Sequence, residues 1–176
     1  MAVSGSIPDY RNTVFEFTDL TRIHGNPTAE NLLTLQKELR ANAASVYSDL
    51  GGGRHGHLYL VLTPEQYGIL EPNHPFVRPL HPGTLTIPQG STGPQIQALR
   101  DGHNESLRIF KEVNSVEAAL IQQINKAIDA PYLDAVRDRI TNSLRGPIST
   151  ILDHLKNTYG RVTVTQLDNA EEELRQ

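Results

Sequence analysis

Cysteine is absent from the 176 residues, which excludes disulfides, thiolate metal sites, zinc knuckles and a cysteine nucleophile within them. No apolar run approaches the roughly 20 residues that a membrane-spanning helix needs. The N-terminus MAVSGSIPDY has neither a basic n-region nor an apolar h-region, so a soluble, intracellular protein is expected. Neither sign of charge is in large excess. Twenty acidic side chains against 16 basic ones give a formal net charge of −4. That balance repels a phosphate backbone unless the lysines and arginines are segregated on one face, and nothing in their linear order shows such segregation. Apolar residues, in contrast, make up 38% of the chain, enough at this length for the core of one ordinary domain or two small ones.

The most readable stretch is 116–160. Val116, Leu120, Ile124 and Ile128 recur every four residues, with Ala119, Ile121 and Ala127 beside them, an apolar stripe wide enough for a core helix. Asp129 stands where an N-cap belongs, and Pro131 sits in the first turn, where its missing N–H is not needed. Tyr132, Leu133, Val136 and Ile140 then follow at helical spacing, predicting a second helix that ends at Gly146-Pro147. Ile148, Ile151, Leu152 and Leu155 form a third apolar face running to Tyr159, and Gly160 suits a left-handed position after the helix. Three short helices packed as one unit are expected.

Upstream, residues 1–20 mix small polar residues with Val14, Phe15 and Phe17 and read as a flexible arm, in which Thr13 to Phe17 has the β-branched and aromatic content of a short strand. The domain proper is expected over 21–176. Thr28 caps a helix over about 29–44, with Leu32, Leu35 and Leu39 on one face. Thr63-Pro64-Glu65-Gln66 has the form of a capping box and predicts a short helix through Leu70. Five prolines between 71 and 90 leave an extended loop, read as a connector. Ser91 or Thr92 opens the longest helical run, through Ile96, Leu99, Leu107, Phe110 and Val113. Gly102 weakens its middle, and a break is expected at Asn114-Ser115. Thr163 with Gln166 makes another capping box for an acidic helix carrying Leu167, Ala170 and Leu174, which runs out at Gln176 as a fragment would.

Between the first two helices lies Leu50-Gly51-Gly52-Gly53-Arg54-His55-Gly56-His57-Leu58. As a phosphate loop it lacks the Gly-Lys-Ser/Thr ending that places a lysine on phosphates and a hydroxyl on magnesium. As a metal site it offers His55 and His57 at strand spacing, but no third ligand can be named from the other histidines. The reading adopted is structural: Gly51, Gly52 and Gly53 supply positive φ and close backbone approach, and His57 enters the packed segment LYLVL as a hydrogen-bonding residue.

Three segments carry a resemblance to a known family: LTRIHGNPTAENLLTLQKELRANAASVYSDLGGGRHGHLYLVLTPEQY, HPFVRPLHPGTLTIPQGST, and ALIQQINKAIDAPYLDAVRDRITNSLRGPISTILDHLKNTYGRVTVTQL. In order and wording they resemble the Gag capsid region of copia-type LTR retrotransposons over about residues 20–170, down to the closing pair Tyr159-Gly160. The tryptophan usual in that family's first helical segment is missing, as are a second capsid half and a cysteine-rich zinc knuckle. The resemblance implies an all-α, multi-helix bundle like a capsid N-terminal domain. It further implies self-assembly into a cytoplasmic virus-like particle that packages element RNA, with RNA held through regions outside this chain.

On this reading the protein is a homo-oligomer and not an enzyme, with no cofactor, metal, membrane or small-molecule substrate. The first helix and the turn at Gly51, Gly52, Gly53 and His57 are the expected assembly surface. Leu120, Ile124, Ile128, Leu133, Ile151, Leu155, Tyr159 and Gly160 are the expected core-helix markers. Two alternatives stand beside it. One is a metal-dependent hydrolase using His55, His57 and a carboxylate such as Asp101 or Glu105, although carboxylates four apart on a helix are ordinarily a solvated face. The other is a domesticated capsid domain acting as an interaction adaptor.

Overall fold

The computed structural model describes residues 8–160. Over these the chain is all-α: α1 (Tyr10–Thr13), α2 (Ala29–Ser45), α3 (Pro64–Leu70), α4 (Gly93–Ala127) and α5 (Ile148–Thr158), with 3₁₀ turns at Leu50–Gly52, Leu58–Leu60 and Ala130–Val136. The described residues form no extended strand, only isolated bridges between Ile23 and Ile128 and between Arg137 and Leu144.

The three principal helix starts obey one local rule. Thr28, Thr63 and Thr92 each accept a hydrogen bond from the backbone N–H three residues on, while the side-chain oxygens of Asn31, Gln66 and Gln95 accept one from the cap N–H. Two of the donors left over at each helix start are satisfied this way. Once begun, α2 packs against α4 and α5, and α5 against the 3₁₀ turn at Ala130–Val136. The resulting core contains Leu35 and Leu39 of α2, Val113, Val116, Leu120 and Ile124 of α4, Ile128, Leu133, and Ile148, Ile151 and Leu155 of α5. Fully burying an aliphatic side chain of this kind contributes about 1.5–3 kcal/mol, so this cluster organises the fold.

Several expectations are corrected. The supposed flexible arm is packed over its described part: Tyr10, Phe15 and Leu20 are buried, and Tyr10 and Phe15 stack with ring centroids 6.2 Å apart. Thr13 to Phe17 is not a strand: the N–H groups of Thr13, Val14 and Phe15 turn back to the Asp9 and Tyr10 carbonyls, and the backbone of Phe17 is taken up by a side chain. Asn42 accepts from the Phe17 N–H at 2.8 Å and donates to the Phe17 carbonyl at 3.0 Å. No break interrupts α4 at Asn114-Ser115. Both side chains bond back to carbonyls four residues earlier, Phe110 at 2.9 Å and Lys111 at 2.6 Å, so they are satisfied within the helix, and buried Val113 and Val116 hold it to the core on either side.

The second expected helix stops at Val136 and is a 3₁₀ turn. Asp129 does not cap it. Its carboxylate turns back to pair with Arg22 and to accept from the Gly25 N–H at 3.1 Å. Ile140 is 95% exposed, sitting in a tight turn in which Asp138 accepts from the N–H groups of Ile140 and Thr141, both at 2.9 Å. Gly160 is not left-handed. It is close-packed instead, since a Cβ there would lie 3.0 Å from the Lys156 carbonyl oxygen and 3.1 Å from Leu32 Cδ1. The capping box at Thr163 and the helix through Leu174 lie outside the described residues.

Candidate functional site

The glycine-rich turn is built where α2 has ended and α3 must fold back on it. Gly51, Gly52 and Gly53 have φ of 60°, 95° and 73°, a region that costs an L-residue about 1–2 kcal/mol. Here the close approach is tighter than the dihedral alone requires. Tyr67 of α3 donates its hydroxyl to the Gly51 carbonyl, and a Cβ on Gly51 would come within 2.4 Å of that hydroxyl oxygen.

One helical turn further, Glu71 closes the same junction. Its carboxylate is buried and accepts from Arg54 Nε at 2.9 Å, His55 Nε2 at 3.0 Å and His74 Nδ1 at 3.2 Å. The Arg54 guanidinium, with help from the two imidazoles, holds its pKa below the ordinary carboxylate value. An otherwise costly buried charge is thereby matched by three donors drawn from both sides of the turn.

His57 sits deeper, with no exposed surface. Its Nδ1 lies 2.8 Å from the Val46 carbonyl oxygen, and a carbonyl can only accept, so the proton resides on Nδ1. Among the described residues Nε2 has no hydrogen-bond partner, and it faces Glu112 Oε1 of α4 at 3.5 Å. Burial pushes the imidazole pKa down, against the smaller opposing effects of the Val46 carbonyl and the Glu112 charge. Beside it Tyr59 shares a hydrogen bond with Ser48 at 2.9 Å and stacks on Phe76 at 3.7 Å. Burial raises the Tyr59 pKa strongly. The turn is therefore braced by α3 outside and by a neutral imidazole within.

The two histidines of the hydrolase alternative take different partners. His55 serves Glu71 and His57 serves Val46, while Asp101 accepts from Gln97 at 2.8 Å and Glu105 from Arg108 at 2.7 Å. Among the described residues no group of three or more His, Asp or Glu is arranged to hold a metal ion. The core-helix markers Leu120, Ile124, Ile128, Leu133, Ile151 and Leu155 are all buried in one cluster. Tyr159 packs edge-on against Tyr132 at 5.3 Å. Sequence reasoning missed Glu71, which looks like any helix-end glutamate. Its partners Arg54 and His55 lie 17 and 16 residues away, at no spacing that a pattern would flag.

No protein-family model, curated protein or solved structure matches the chain. Among the described residues no helix is long and apolar enough to cross a membrane.

Proposed function

We propose that the chain is a structural protein that works by self-association, a Gag-like capsid domain of an LTR retrotransposon that assembles into a virus-like particle around element RNA. The observation that carries this reading is the braced glycine turn with uncovered apolar side chains on the segments it joins. Tyr47 is 70% exposed just before the turn, and Ile69 and Leu70 are 84% and 42% exposed on α3. Arg54 and His74, whose side chains stay well exposed while their heads hold Glu71, supply a polar rim beside them. Apolar centres with polar rims are the ordinary anatomy of protein interfaces. A rigid presentation lowers the entropy that each contact must overcome. Individually weak contacts suffice in a closed symmetric particle, because many act together through effective concentration.

Light scattering coupled to size-exclusion chromatography, over a range of protein and salt concentrations, tests the proposal. Negative-stain microscopy of the largest species completes it. Concentration-dependent oligomers or particles are expected from the wild type and not from Ile69→Asp, whereas Ile140→Asp, equally exposed but remote in sequence from the turn, should associate like the wild type. A strict monomer at high concentration and high salt, or unaltered assembly of Ile69→Asp, overturns it.

A further inference from the structure

From Pro72 through Glu112 no side chain is buried among the described residues, although the chain on both sides of this stretch feeds the core. The stretch folds as an arm of two parts. α4 enters the core only at Val113, so its first 20 residues or so, about 30 Å of helix, project beyond the core. An extended strap over 76–91 lies along that projection. Arg78 bonds to Glu117 at 2.9 Å and to Asn114 at 2.8 Å, the His81 ring meets Phe110 edge-on at 5.1 Å, and His103 Nε2 donates to the Gly83 carbonyl at 2.8 Å. The strap therefore runs down α4 towards its N-terminus.

What it covers is the stripe Ile96, Leu99, His103, Leu107 and Phe110. At about 100° per residue, all five lie within about 40° of His103 on the helix surface. The cover is thin: Leu99 stays 38% exposed, and the other four are half-buried. The charges of this part of α4 sit on its other side and are satisfied there. Arg108 pairs with Glu105 and Glu112, and Asp101 accepts from Gln97. A helix of this length is marginal in water without a partner for its apolar face, and in the closed chain the strap is that partner.

The stripe is symmetric about its own centre. Leu99 and Leu107 stand four residues to either side of His103, and Ile96 and Phe110 seven. The projecting part of α4, Gly93 to Glu112, has its middle at Gly102-His103 as well. A two-fold axis at His103 between two antiparallel copies therefore sets Leu99 against the partner's Leu107 and Ile96 against the partner's Phe110, while each core clears the tip of the other helix. We infer that the strap is an autoinhibitory cover: closed, it masks this stripe, and open, it frees α4 to pair antiparallel with a second copy of the chain. A cover that is open in only about 1–10% of molecules weakens such pairing about 10- to 100-fold. The contact is distinct from the exposed α3 surface and does not rest on it, so a chain with that surface disabled stays monomeric until the strap opens.

The chain has no cysteine, so single introduced thiols report contacts without background. The test is run in Ile69→Asp, which takes the α3 surface out of play. His81→Ala with Gly83→Pro opens the strap without touching α4, because proline can neither adopt the φ of 73° at Gly83 nor donate to His81 as the Gly83 N–H does. Light scattering should show a monomer with the strap closed and a concentration-dependent dimer with it open. In an equimolar mixture of Leu99→Cys and Leu107→Cys chains, oxidation should favour the mixed disulfide over either like pair, and opening the strap should speed it by about tenfold or more. Gln97→Cys, about 120° round the helix from His103, should not cross-link. His103→Ala, which frees the strap from the helix side, should dimerise as well. Circular dichroism melts of both opened variants should keep the parent midpoint, since neither change touches a buried residue. A strict monomer in both opened variants, like pairs forming as fast as mixed ones, or cross-linking indifferent to the strap overturns the inference.

Discussion

Asn42 and Gln123 meet amide to amide at 2.8 Å across 81 positions of sequence, inside the core. Between them they take up the backbone of the incoming N-terminal segment. Asn42 brackets both polar groups of Phe17, and Gln123 Nε2 donates to the carbonyls of Phe17 and Thr18, each at 3.0 Å. Two helices and a non-helical segment are thus joined by one fully used pair of side chains.

Replacing Asn42 by Ala strands the Phe17 N–H and the Gln123 acceptor in a buried site. Each unsatisfied group costs about 1–3 kcal/mol, so a loss of about 3 kcal/mol is expected in urea unfolding. The double variant with Gln123→Ala should lose less than the sum of the two single variants, by about 1 kcal/mol, as contacting residues in one network do. Additive losses would show that the pair is not a unit.

Stability should fall on acidification through His57. Burial lowers its proton affinity in the folded state below the ordinary value of 6.5, so the unfolded chain takes up the proton first. The folded state is then favoured fully above that ordinary value and loses stability as pH falls below it. Comparing urea midpoints at pH 7.5 and 5.5 measures this. Glu112→Gln should steepen the decline, because the Glu112 charge is what partly favours the imidazolium. His57→Gln should flatten it.

Two glycines should respond with opposite sign to alanine. At Gly56, with φ of 57°, a Cβ would meet the Ala44 carbonyl oxygen at 2.4 Å and that of Val46 at 2.6 Å. Both strain and overlap are forced, and a loss above about 2 kcal/mol is expected. At Gly102, inside α4 with nothing within 4 Å of the new methyl, alanine should stabilise by about 0.5–1 kcal/mol. Thermal melts of the two variants on either side of the wild type would check both.

The features legible in sequence were those decided within a few residues. Thr28, Thr63 and Thr92 start helices because the bonds they make reach only three positions ahead. The stripe Leu120, Ile124 and Ile128 faces inward because the period is helical. Some expectations fail where a distant group supplies the partner. Asp129 has the look of a cap, yet Arg22 and Gly25, more than 100 residues earlier, hold it elsewhere. Val14, Phe15 and Phe17 are too few and too irregularly spaced to define a helix, and what holds the segment at Phe17 is the backbone bonding of Asn42 and Gln123.

By itself, the sequence determined an all-α chain without thiol chemistry, its principal helix starts and most of its core, since capping and amphipathic periodicity are local. Tertiary structure alone decided which polar groups meet. It set Glu71 under the glycine turn, and it gathered Arg11, Arg78, Lys126, Arg137 and Arg145 from four separate regions of an acidic chain along one groove. The physical reason is that charges interact through space over about a Debye length, roughly 10 Å at moderate salt. Linear order carries almost no information about which charges will come within that distance.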